Sequence, residues 1–195
     1  LALDKLGVDG RIGCPFFRSC KDLNTQTLSP KITVKIGGQL FTGSLRQTNL
    51  GKSNVRVYLI DIPSLFDREG VYSDHKGDFP DNPQRAFALC QAALQIGDAV
   101  KWQPDIIHAH DWMAAPVCAY ANANRSKPKA KANLRTVLTI HNLQHQGVFS
   151  YEDFVTSNLP DSNWGMDGFE KNGTLKSCKP WIYIPLTPNL LLIYF

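Results

Sequence analysis

The chain has 195 residues, 43% of them hydrophobic and 19% charged, which is room for one well-filled core and too little for two full-sized domains. That balance excludes a disordered chain, and twelve prolines with fourteen glycines exclude a collagen-like or low-complexity one. A net charge of +4 is too mild to point to nucleic acid or to a membrane surface, so neither is expected as a partner.

Taken in chain order, Leu1–Leu6 reads as the last turns of a helix that Gly7 stops. Lys31–Lys35 and Leu40–Leu45 around Gly37-Gly38 read as a β-hairpin. Val55–Ile60 alternates and then turns apolar, as a partly covered strand does. Asn82 suits an N-cap and Pro83 a first helical residue. Ala86, Leu89, Cys90, Ala93, Leu94, Gly97 and Val100 then follow at spacings of three and four, one face of a helix to about Lys101. Asp105–His110 is a short strand, Trp112–Ala123 a helix and Lys127–Asn133 a polar loop. Thr136–His141 is a β-branched, apolar strand. The basic Lys127-Pro128-Lys129-Ala130-Lys131 has no interleaved aromatic and reads as solvated loop. After Tyr151 the periodicity weakens. The alternation predicts an α/β fold, a parallel sheet with helices on both faces.

Five cysteines, Cys14, Cys20, Cys90, Cys118 and Cys178, are scattered without CxxC spacing, so neither a zinc ribbon nor a thioredoxin-type site is indicated. Cys90 and Cys118 sit in alanine-rich runs as small buried thiols, and the usage suits a reducing compartment. Leu1-Ala2-Leu3-Asp4-Lys5 meets charge at once and lacks the apolar core of a signal peptide. A first residue other than methionine points to a chain that begins in mid-gene. The apolar run Leu190–Phe195 is too short to span a membrane.

Ligands of open α/β sheets bind beyond the carboxyl ends of the strands. Two strands end there in polar clusters, His108-Ala109-His110-Asp111-Trp112 and His141-Asn142-Leu143-Gln144-His145-Gln146-Gly147, which hold four of the five histidines. One histidine alone reads as a satisfied core residue; two clusters at neighbouring strand ends read as a site. Two chemistries fit. His108, His110 and Asp111, with His141 as a further ligand, suit a divalent metal and a metal-dependent hydrolase. Asp111, Trp112, His141, Asn142 and Gln146 equally suit a sugar, with polar groups for its hydroxyls and an aromatic for a ring face.

The chain resembles the N-terminal domain of bacterial glycogen synthases and plant starch synthases, the ADP-glucose-dependent α-1,4-glucan synthases. The matching segments are Phe66–Tyr72, Asp78–Asn82 with Arg85-Ala86-Phe87, Pro104–Trp112, Thr139–Leu143 with Gln146-Gly147, and Trp164–Glu170. The resemblance covers residues 1–175. It implies the GT-B architecture, in which two Rossmann-like domains face a cleft, and retaining transfer of glucose to the non-reducing end of an α-glucan without metal or other cofactor. It also implies a contact of His141 with the transferred glucose, with Asp111 as a carboxylate of the same pocket. Tyr72, His110, Asn142, Gln146 and Gly147 are implied as substrate-binding residues, and Tyr72 can equally pack on Asp78–Asn82. The resemblance places the protein in a bacterial cytoplasm or a plastid stroma. It leaves open a non-catalytic glucan-binding module, the choice of ADP- or UDP-glucose, and the oligomeric state.

Two departures stand out. The family's Lys-x-Gly-Gly-Leu nucleotide loop belongs before the helix that ends at Gly7, and Lys35–Leu40 is a hairpin turn rather than its substitute. In residues 176–195, Pro180, Pro185 and Pro188 followed by Leu190-Leu191-Leu192 fit no element of the family. That stretch reads as a tail outside the family, from a shifted reading frame or a divergent terminus, with few contacts to the sheet.

Overall fold

A strand that the sequence hides lies near the centre of the molecule. In the computed structural model, which describes residues 2–125, 134–142, 144–165, 168–171, 173–176 and 189–194, helix α1 (Ala2–Lys5) leads through Gly7 (φ +75°) into β1 (Asp9–Pro15). The inward positions of β1 are Arg11, Gly13 and Pro15, which no hydrophobic alternation would reveal. Arg11 is nonetheless buried. It donates to the Tyr58 hydroxyl at 2.9 Å, pairs with Asp9 at 2.9 Å, and lies over the Trp102 ring. A Cβ at Gly13 would sit 2.9 Å from Ile96, so glycine lets the long helix close onto the strand.

The expected hairpin follows, longer than its sequence signal: β2 (Gln26–Ile36) and β3 (Gln39–Asn49), turning at Gly37 with φ +58° as the first central position of a two-residue loop requires. Lys35–Leu40 is therefore a turn, as the sequence suggests. β4 (Arg56–Asp61) is shifted one residue from its expected place and buries Val57, Tyr58, Leu59 and Ile60. Short elements α2 (Pro63–Phe66), β5 (Ser73–Asp74) and β6 (Gly77–Asp78) precede the long helix α3 (Asn82–Ala99). Asn82 is not the cap: Asp81 holds that position, and Asn82 is buried in the first turn, donating to the Tyr72 carbonyl at 2.8 Å and accepting from Arg85 at 2.7 Å.

β7 (Ile106–His110) runs into α4 (Asp111–Ala114) and α5 (Pro116–Asn124), where one helix was expected; Pro116 has no N–H to continue the ladder, so the helix breaks there. β8 (Arg135–Thr139) ends before His141. The Lys127–Asn133 loop lies outside the described residues. β9 (Val148–Phe149), α6 (Tyr151–Thr156), β10 (Glu170–Lys171), β11 (Thr174–Lys176) and β12 (Asn189–Ile193) complete the described elements. Ser150 and Asp153 form a reciprocal capping box at the start of α6.

The main sheet has the order β2-β3-β4-β1-β12-β7-β8. From β4 to β8 the pairing is parallel; β2 and β3 add an antiparallel ribbon, so the fold is mixed α/β with a mainly parallel sheet. The expectation that residues 176–195 would hardly touch the sheet is overturned: β12 is inserted between β1 and β7, with Leu191 and Ile193 fully buried. Leucine and isoleucine suit a central parallel strand covered on both faces, and the prolines all precede it. Cys90 and Cys118 are buried free thiols, and burial pushes Cys118 up to about 11. Among the described residues no helix is long and apolar enough to cross a membrane.

Side chains cover the free edge of β2 near Thr33 and Lys35, where Asn158 donates to Lys35 O at 2.8 Å and two glutamines of α3 bond backbone groups on both residues. Gln91 donates to Lys35 O at 2.8 Å and accepts from Lys35 N at 2.9 Å; Gln95 does the same with Thr33 at 2.9 and 3.3 Å. Four helical residues rise about 6 Å and two strand residues about 6.7 Å, so glutamines at i and i+4 reach alternate outward backbone groups of the strand. They stand in for a neighbouring strand and leave the edge without a template for pairing.

Replacing both with leucine (Gln91→Leu, Gln95→Leu) is expected to raise the association state in sedimentation; an unchanged state would show that the edge is protected by other means. Leu191→Ala is expected to cost about 2–5 kcal/mol in denaturant unfolding, as removal of a buried leucine does. A loss well under 1 kcal/mol would mean that β12 contributes little to the fold.

Candidate functional site

The parallel pairing of β7 with β8 sets His110 opposite Thr139 and so brings both sequence clusters to the same, carboxyl edge of the sheet. His108 and His110, two apart on the strand, lie on one face with ring centroids 4.2 Å apart. His108 Nε2 is 2.7 Å from Thr139 Oγ1. His110 is buried, and its Nδ1 lies 2.9 Å from Nε2 of the exposed His141, so one nitrogen donates and the other accepts. Nε2 of His110 is buried with no partner among the described residues.

Asp111 follows at once, with φ +58°, a left-handed conformation that aspartate tolerates better than most residues. The turn swings its carboxylate toward the β8 loop, where Oδ1 accepts from the His141 amide at 2.7 Å. Such backbone outliers concentrate at functional sites. Asn142 is exposed, and its Oδ1 accepts from the Gln144 amide at 2.9 Å, which shapes the loop. Half-buried Gln146 precedes Gly147, whose φ is +62° and whose added Cβ would fall 2.6 Å from the Trp112 ring. Glycine there lets the loop lie flat on the indole.

Trp112 is also approached by Tyr72 at 5.9 Å and Phe149 at 5.3 Å, centroid to centroid. Tyr72 is tied by its backbone to the Asp78–Asn82 segment and by its ring to Trp112. Its carbonyl accepts from Phe79 N and Asn82 Nδ2, binding it to the Asp78–Asn82 segment, while its ring faces the site. Burial, and then the Asp111 charge, raise its phenol above the ordinary value. Arg85, fully buried, donates to the carbonyls of Leu65 and Val71 at 2.9 and 2.7 Å and so fixes the loop that carries Tyr72. Burial pushes its guanidinium down to about 10.

No local motif points to Tyr194. It follows β12, donates its amide to Gly13 O at 3.0 Å, and stacks on His110 at 4.0 Å with the rings 13° from parallel. Only its place in the sheet, beside β7, could have revealed it.

Burial is the largest cause that lowers His110, to about 4; nearby His108 and His141 add to it and Asp111 opposes it. Burial, and then His141, lower His108 as well. Both rings are thus held toward the neutral form. The metal-hydrolase expectation is not favoured: His110 and His141 aim nitrogens at each other, and among the described residues no trio of His, Cys, Asp or Glu is placed to hold a metal ion.

The mainly parallel sheet with imidazole, carboxylate, amide and indole gathered at its strand ends is that of a Rossmann-like α/β domain, and the chain belongs to the starch synthase catalytic domain family, which matches residues 1–184. That match runs past Leu175, beyond the stretch the sequence motifs cover. The chain is 34% identical over 179 residues to glycogen synthase 2 of Geobacter metallireducens, covering 91% of this chain and 37% of the relative. It is 36% identical over 184 residues to the glycogen synthase of Marinobacter nauticus, covering 91% of this chain and 36% of that one. It thus spans well under half the length of these curated relatives. The catalytic domain of starch synthase IV from Arabidopsis thaliana, bound to ADP and acarbose, superposes with a TM-score of 0.77 at 23% identity over 91% of this chain and 36% of that chain. The shared fold is the N-terminal Rossmann-like half of a GT-B glycosyltransferase.

Stability should follow the depressed histidines. An unfolded His110 takes a proton near pH 6.5, whereas the folded one does not until about 4, so protons favour the unfolded chain between these values. The urea midpoint is expected to fall as pH drops from 6.5 to 4, and to fall less in His110→Gln. Equal slopes in the two proteins would place the pH sensitivity elsewhere.

Proposed function

We propose that the chain supplies the sugar-facing wall of an α-1,4-glucan synthase that moves glucose from ADP-glucose to the non-reducing end of a glucan with retention. The observation that supports this most is the His110–His141–Asp111 linkage at one sheet edge, in a chain of the starch synthase family. In this reading His141 contacts the departing glucose, and Asp111 both fixes the His141 backbone and lends negative charge near the anomeric carbon as positive charge develops there. His110, Asn142, Gln146 and Gly147 shape the sugar loop, and Tyr72 with Trp112 lines its aromatic side. The bacterial cytoplasm or the plastid stroma is the compartment proposed with it.

Bond cleavage also needs positive charge to meet the diphosphate leaving group. With about a third of a relative's length present, the proposal assigns that charge to the rest of a complete enzyme. The chain alone is then expected to show no measurable transfer from ADP-glucose and only weak maltooligosaccharide binding, since one wall buries little of a ligand. In a complete relative, alanine at the position of His141 is expected to lower kcat about 100-fold or more, the scale of losing one transition-state hydrogen bond, with glucan affinity little changed. Robust transfer by the isolated chain would overturn the half-site; equal loss of affinity and turnover would reduce His141 to a substrate-holding residue.

A further inference from the structure

We propose that Tyr194 is a positioning residue of this sugar site: its ring holds the His110 imidazole in the orientation that meets His141. The inference rests on the functional reading above for its purpose, but on geometry for its content. Parallel register pairs Ile193 with Ala109, so the next residue of each strand, Tyr194 and His110, stand side by side on the same face. Their rings are 4.0 Å apart and nearly parallel, and His108 approaches the same imidazole at 4.2 Å. An imidazole packed in this way has little freedom to turn about its own axis.

That restriction matters because of what His110 lacks. Its Nε2 has no hydrogen-bond partner among the described residues, so no second bond fixes the ring as second bonds usually fix a functional histidine. Packing must do it instead. The bond to His141 joins two imidazole nitrogens, one with a proton and one with a lone pair, so the tautomers of the two rings are set together. His141 is exposed, and beyond this bond the described contact that holds it is Asp111 on its backbone amide. The groups around His110 are His108 and Asp111 from β7 and the turn after it, His141 from the β8 loop, and Tyr194 from β12. Tyr194 is the one among them that arrives from strand β12, inserted between β1 and β7. It is 37% exposed at a strand end, so exchanging its side chain leaves the buried Leu191 and Ile193 in place.

The test compares Tyr194→Phe, Tyr194→Ala and Tyr194→Leu with the unaltered chain. Imidazole nitrogen shifts at neutral pH report the tautomers of His110 and His141, amide exchange at Leu191 and Ile193 reports whether β12 stays in the sheet, and maltotriose titration reports binding. The phenylalanine variant is expected to keep a single tautomer for each ring. The alanine and leucine variants are expected to show averaged tautomers with β12 still docked, and maltotriose affinity little changed, as for loss of the His141 side chain itself. Unchanged tautomers in both Tyr194→Ala and Tyr194→Leu would overturn the proposal. Release of β12 in both would also overturn it, because the ring would then serve the strand and not the histidine. Averaged tautomers in a chain whose unaltered form binds no maltotriose would uphold Tyr194 as the positioning residue and count against the sugar-site reading instead.

Discussion

Strand β7 lies between two parallel neighbours, and that placement governs the rest of the site. Parallel pairing brings the carboxyl ends of β12, β7 and β8 to one edge in fixed register. His110 therefore has Tyr194 on one side and Thr139 on the other, and His141 two residues further along. The left-handed turn at Asp111 then ends the strand abruptly and returns a carboxylate to the β8 loop. A slip of one residue in either pairing would put these side chains on opposite faces.

Around this edge, buried polar groups do work that apolar packing cannot. Arg85 is fully buried, a placement costly for a cation unless its N–H groups are satisfied. It meets a carbonyl of α2 and one of the segment that follows it, Leu65 and Val71, and so fixes the support for Tyr72. Gln91 and Gln95, about two and three turns further along α3 than Arg85, cover backbone groups at the outer edge of the sheet. Different sides of α3 thus tie down the site loop and the far ribbon.

The electrostatics at this edge fit the proposed sugar site. A neutral imidazole donates from one nitrogen and accepts at the other, which matches the two-way hydrogen bonding of a hydroxyl. Burial holds His110 in that neutral form at physiological pH, so this ring offers His141 a hydrogen bond without bringing its own charge into the site. The Asp111 carboxylate is the described charge beside the two rings, where the proposed transfer would develop positive charge.

The sequence by itself determined the long α3 helix, the β7 and β8 strands and the polar clusters that follow them, because each is written in local periodicity or in contiguous residues. It also determined family membership, since the motifs His108–Trp112 and His141–Gly147 are short and intact. Tertiary structure alone decided that Asp9–Pro15 is a strand, because a buried arginine and a glycine under Ile96 stand where local pattern expects apolar residues. It alone placed Asn189–Ile193 at the centre of the sheet: five residues carry no sign of which neighbours they join, and pairing between distant segments is settled by register and burial, not by local preference. The aromatic that covers His110 came with that strand, which is why no motif near the histidines announced it.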